Sequence, residues 1–149
     1  MKKLKSVFYL LFIFSIFSPA TAQIKHFKKA VKGKVAPHDQ SQDKFTVVFP
    51  KKKSTAILNA YMMGIGHPVT FVVNVTHGKL LKAEIKEMFE PANIRITQVF
   101  APDGMSDGPF SHTLVYPIKR KGIFKIIVGG NNMQGDDWKG VFTMRVTIQ

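Results

Sequence analysis

No cysteine occurs among the 149 residues, which excludes a disulfide scaffold, a thiol nucleophile, thiolate-held zinc or iron–sulfur clusters, and a lipid attached through a lipobox cysteine. Acidic residues are also scarce: 9 Asp+Glu stand against 22 Lys+Arg and 5 His, for a formal charge of +13. Long apolar runs are missing too. The longest, Val7 to Phe17, is about half of the ~20 residues a helix needs to cross a bilayer, and Pro19 stops it. What is present suffices for one core. A hydrophobic share of 45% with 13 Phe, beside only 21% charged residues, is too apolar for a disordered basic tail. The length fits one domain and not a multidomain enzyme.

Lys2, Lys3 and Lys5 precede the apolar run, and Ala20-Thr21-Ala22 follows Pro19. This is the three-part pattern of a secretory signal peptide over residues 1–22, with cleavage expected after Ala22 and no transmembrane anchor remaining. Removing three lysines lowers the +13 to +10. Outside the cytoplasm that charge points away from nucleic acid. It points instead toward an anionic glycan, lipopolysaccharide or an acidic protein surface. A periplasmic or secreted location is expected.

Residues 23–44 are polar and Lys-rich and read as a basic N-terminal arm. Lys25, Lys28, Lys29 and Lys32 would share one face of a short amphipathic helix, so a solvated arm and a surface-resting helix are both open. Beyond Lys44 the hydrophobic period becomes two. Phe71, Val73 and Val75 alternate with Val72, Asn74 and Thr76, and Phe142, Met144, Val146 and Ile148 alternate with Val141, Thr143, Arg145 and Thr147. Strands are predicted at 45–49, 56–62, 69–76, 80–88, 94–100, 112–118, 123–128 and 141–148, with Gly, Pro, Asn and Asp turns between them. Residues 80–88 also carry helix formers at helical spacing, but the surrounding strands favour a strand. The expected fold for 45–149 is all-β: an antiparallel sandwich of jelly-roll type with about eight strands.

Two stretches carry a family likeness. Gly122-Ile-Phe124-Lys-Ile126-Ile-Val128, a polar loop, and then Gly140-Val-Phe142-Thr-Met-Arg-Val146-Thr-Ile148 resemble the closing strands of bacterial pre-peptidase C-terminal domains. Val69 to Ile85, with a turn at His77-Gly78-Lys79, looks like that family's paired segment. The resemblance implies a binding or accessory module of an exported protein, and stand-alone relatives of similar layout include periplasmic lysozyme inhibitors. Where some members place acidic calcium ligands, this chain has Asn93-Ile-Arg95-Ile, a departure from the calcium-binding pattern.

Three clusters are candidate sites. Asn131, Asn132 and Trp138 combine the single Trp with amides, a mix suited to stacking on a sugar and meeting its hydroxyls, or to packing over the end of the sandwich. Lys51, Lys52 and Lys53, and likewise Lys119, Arg120 and Lys121, form two basic turns suited to an anionic ligand. Asp103, Ser106, Asp107 and Phe110 form a loop suited to contacting a protein. Its two Asp-Gly pairs read either as turns or as carboxylates for a hard cation.

Catalytic readings fail on geometry. Ser111 and His112 are adjacent on a strand and face opposite sides, and the five histidines have no ligand spacing. Glu84, Glu87 and Glu90 interleave with Lys82 and Lys86 as on a solvated face. Neither a catalytic residue nor a metal or other cofactor is expected. The sequence therefore reads as an exported, non-enzymatic protein recognising an anionic or glycan ligand of the envelope. The alternative is a protein-binding inhibitor or immunity-type factor acting on a secreted hydrolase such as a lysozyme.

Overall fold

A computed structural model describes residues 43–88 and 92–149. The expected signal peptide and nearly all of the basic arm lie outside the described residues. The rest is the expected all-β sandwich. Its strands are β1 (Lys44–Val47), β2 (Thr55–Met62), β3 (Val69–Val75), β4 (Leu80–Glu87), β5 (Arg95–Phe100), β6 (Ser106–Asp107), β7 (Thr113–Pro117), β8 (Gly122–Gly129) and β9 (Gly140–Ile148). They form one sheet of order β1-β3-β8-β5-β6 and another of order β2-β9-β4-β7. Successive connections cross between the sheets, except at the β5–β6 hairpin.

The strands form because every second residue is apolar and needs cover. Phe71, Val73 and Val75 face Phe142, Met144 and Val146 across the sandwich as buried positions, and removal of this surface from water drives the two sheets together. Phe71 is central: its ring stacks on Phe45 at 5.4 Å and meets Phe142 of the opposite sheet edge-on at 6.1 Å. Leu81, Ala83 and Ile85 are buried in alternation along β4, so tertiary cover overrides the helical propensity of that segment.

Three details differ from the sequence reading. A ninth, two-residue strand, β6, pairs with the end of β5; it is too short to show a hydrophobic period. The β1–β3 pair is parallel, because the chain crosses to the other sheet for β2 and returns in its original direction. Alternation in β5 breaks at Thr97, where the pairing shifts between Ile96 and Gln98. This bulge lets Val99 rejoin Ile94 and Ile96 in the core. Gly108 closes against the bulge, with its backbone at the Thr97 carbonyl where no side chain fits.

The registers decide which turns meet. Thr55 pairs with Thr147, Leu81 with Ile148, Leu80 with Pro117 and Val75 with Gly122. The turns 48–54, 76–79, 101–105 and 118–121 therefore share one end of the sandwich. The connections 63–68, 108–112 and 130–139, with Met88 after β4 and residues 92–94 before β5, belong to the opposite end.

Candidate interaction site

The sequence leaves open whether the candidate clusters lie together, and the structure separates them. Lys51, Lys52 and Lys53 lie in the β1–β2 turn and Lys119, Arg120 and Lys121 in the β7–β8 turn, all exposed. These turns share an end with Lys79, but β2 and β7 are opposite edges of the four-stranded sheet, which puts three strand spacings, about 14 Å, between them. Asn131, Asn132 and Trp138 are at the other end. The stretch from Asp103 to Phe110 is not a single loop either. Asp103 is in the β5–β6 turn at the lysine-rich end, Ser106 and Asp107 are in β6, and the chain then runs back along β5. Phe110 donates its N–H to the Ile96 carbonyl at 3.0 Å and packs on the core. The Asp-Gly pairs behave as turns: the Asp103 carboxylate accepts the Met105 N–H at 3.1 Å, and that of Asp107 accepts the Gly108 N–H at 2.8 Å.

Trp138 is half-buried and packs against the core. A Cβ on Gly140 would come within 2.5 Å of its indole, so the glycine provides the space in which the ring lies over the sandwich end. Gly140→Ala is expected to expel the ring. Emission from this single Trp should shift to the red and stability should fall by about 1–3 kcal/mol; an unchanged spectrum would show that the ring does not depend on that contact.

The opposite end is braced chiefly by Asn93 and Asp137, which the sequence reading did not offer as site residues. Asn93 uses its whole amide: Nδ2 donates to the carbonyls of Asn131, Gly135 and Asp136 at 2.9, 3.1 and 3.1 Å, and Oδ1 accepts the Asn131 N–H at 2.9 Å. One side chain thus pins the 130–139 loop to the start of β5. Asp137 ties the same loop to its other neighbour by accepting the Ile65 N–H at 2.7 Å, and Lys139 lies 3.7 Å from its second oxygen. Asn131 spends its own Oδ1 on the Met133 N–H at 3.1 Å. That oxygen builds the loop.

On this scaffold stand exposed apolar side chains. Met133 at the loop tip is 93% exposed, Met88 after β4 is 71% and Met63 after β2 is 45%, so three of the four connections each present a methionine. Methionine is flexible and polarizable and is over-used where one protein surface adapts to another. Between the connections lies a cavity of about 400 Å³ lined by Asn93, Arg95, Phe110, Ser111, His112 and Gln134, among others. At its side the His112 imidazole meets the nearly buried Glu87 carboxylate at 3.1 Å. Among the described residues, no cluster of three or more His, Asp or Glu side chains suits a metal ion.

No family model matches this sequence, so the likeness to pre-peptidase C-terminal domains has no support from that source, and no curated protein matches it. Solved structures do share the fold. One is the crystal structure of Aeromonas hydrophila PliG, a periplasmic lysozyme inhibitor of g-type lysozyme, with a TM-score of 0.59, 17% identity, and coverage of 71% of this chain and 96% of that one. Another is Salmonella Typhimurium PliG, with a TM-score of 0.50, 13% identity, and coverage of 73% and 100%. These matches correct the expected glycan or lipopolysaccharide partner: the proteins that share the fold are inhibitors of a protein, g-type lysozyme, and of the expected partners only a protein surface overlaps with that. The basic turns do not converge with Trp138.

Proposed function

We propose that this is an exported, non-catalytic inhibitor that binds a secreted hydrolase of the lysozyme class through the end of the sandwich carrying the 130–139 loop. The observation that carries this reading is the braced loop itself, with Met133 held out at its tip by the Asn93 and Asn131 bonds. A pre-ordered apolar tip suits insertion into a partner cleft, because little ordering cost remains for the moment of binding. Met and Arg are also enriched at protein interfaces. Charge opposes a basic partner less at this end: lysozymes are commonly basic, and here Asp136 and the Lys139-paired Asp137 stand beside Arg95, whereas the other end presents Lys51, Lys52 and Lys53 with Lys119, Arg120 and Lys121. The likeness to PliG supports the choice of a g-type lysozyme as the first enzyme to test.

The test is lysis of cell-wall substrate by a g-type lysozyme titrated with this protein. Met133→Asp should weaken inhibition by roughly 10- to 100-fold, as expected when a central apolar anchor is replaced by a charge that must be desolvated. Changes in the basic turns at the far end, such as Lys52→Ala with Arg120→Ala, should leave inhibition within about threefold. Equal losses from both changes would assign the effect to overall charge and leave the loop no special role.

A further inference from the structure

Arg95 opens β5 between the buried Ile94 and Ile96, so its side chain leaves the core face and lies at the cavity. Its cross-strand neighbour is Gly129, which brings no side chain to pair with it. Among the described residues no carboxylate pairs with Arg95, and its Nε is shielded from solvent with no hydrogen-bond partner. Its Nη1 has only a long bond, 3.4 Å, to the Gln134 Oε1. A guanidinium carries five donors in a planar fork matched to a carboxylate, and this one is largely unspent. Beside it the cavity is lined by Ser111, His112 and the apolar Phe110. That combination suits a short methylene stem ending in an anion.

We infer that this cavity receives one carboxylate side chain, glutamate or aspartate, from the partner protein, with Arg95 as the cation that takes it. Identifying the partner as a hydrolase rests on the inhibitor reading above. Gln134 is the gate of the site: its amide oxygen occupies the guanidinium weakly, and an arriving carboxylate replaces it with a charge-assisted pair. Arg95 is then a recognition residue on the scaffold, distinct from the methionines, which supply apolar contact.

The experiment has two arms. The first titrates the full protein with N-acetyl-glutamate N-methylamide and follows backbone amide shifts. Saturable shifts are expected at Arg95, Ser111, His112 and Gln134, and the matching glutamine derivative should give none. Arg95→Gln should weaken the probe about tenfold or more, the usual scale of a bond to a charged group. Gln134→Glu, at an exposed position and conservative in shape, should place an internal carboxylate on Arg95 and abolish probe binding while the melting temperature is kept. The second arm measures inhibition of a g-type lysozyme by the same variants, with similar losses expected. Equal shifts from the glutamine derivative, or probe binding unchanged in both variants, would overturn the carboxylate site. Inhibition unchanged in both variants would overturn its role in the complex and leave the inhibitor reading standing. Probe binding without inhibition by the unmodified protein would overturn the inhibitor reading and keep the carboxylate site.

Discussion

Phe71→Ala is expected to destabilise the domain by about 3–5 kcal/mol, the cost of emptying a fully buried aromatic site that cannot collapse. Phe71 is fully buried in β3, stacked on Phe45 within its sheet and set edge-on to Phe142 across the sandwich. Its removal takes away the transfer energy of the ring and both aromatic contacts, and leaves a cavity between the sheets. With no cysteine in the chain, no disulfide limits the loss. A single domain of this size has roughly 5–15 kcal/mol in total, so the change consumes a large part of it. Urea unfolding followed by circular dichroism should show a markedly lower midpoint with a similar slope. A shift below about 1 kcal/mol would mean that the two sheets are not held together at this ring.

Asn93→Ala is expected to have the second largest effect, and mainly on inhibition. The substitution deletes four hydrogen bonds to the 130–139 loop at once. Most of the freed groups belong to an exposed loop and regain water, so the stability loss should stay at about 1–3 kcal/mol. The loop, however, loses its anchor. Ordering Met133, Gln134 and their neighbours then falls on the binding step, at about 0.5–1.5 kcal/mol for each side chain. Inhibition of the target hydrolase should weaken by roughly 10- to 100-fold, and amide hydrogen exchange at Met133 and Gln134 should accelerate. Slow exchange retained in the variant would show that Asp137 and the Asn131 turn order the loop without Asn93.

Much of the fold is legible in the sequence because its signal is local. Period-two alternation marks β3 and β9 residue by residue, and the cross-sheet burial of Phe71 and Phe142 follows from it. The bulge at Thr97 and the strand β6 are not legible, since each depends on a partner strand that the sequence does not identify. The candidate site is harder to read. Trp138 stands out by its rarity, but its surroundings are set by Gly140. The basic turns stand out by charge, yet only the strand registers show that they share an end without Trp138. Asn93 looks like one more turn residue after Pro91 and Ala92; its role exists only because the β8–β9 loop folds over it. Arg95 alternates with Ile94 and Ile96 and reads as an ordinary solvated cation, and nothing in the sequence reveals that Gly129 would leave it without a cross-strand side chain. Met133 offers the one usable signal, an apolar residue in a Gly/Asn/Asp loop.

The most direct measurement is a titration of g-type lysozyme activity with the purified protein. Inhibition should saturate near one protein per enzyme, and Asn93→Ala and Met133→Asp should shift the curve while paired changes in the lysine-rich turns do not. Undiminished lysis at a tenfold excess of a folded, monodisperse protein would contradict the inhibitor reading.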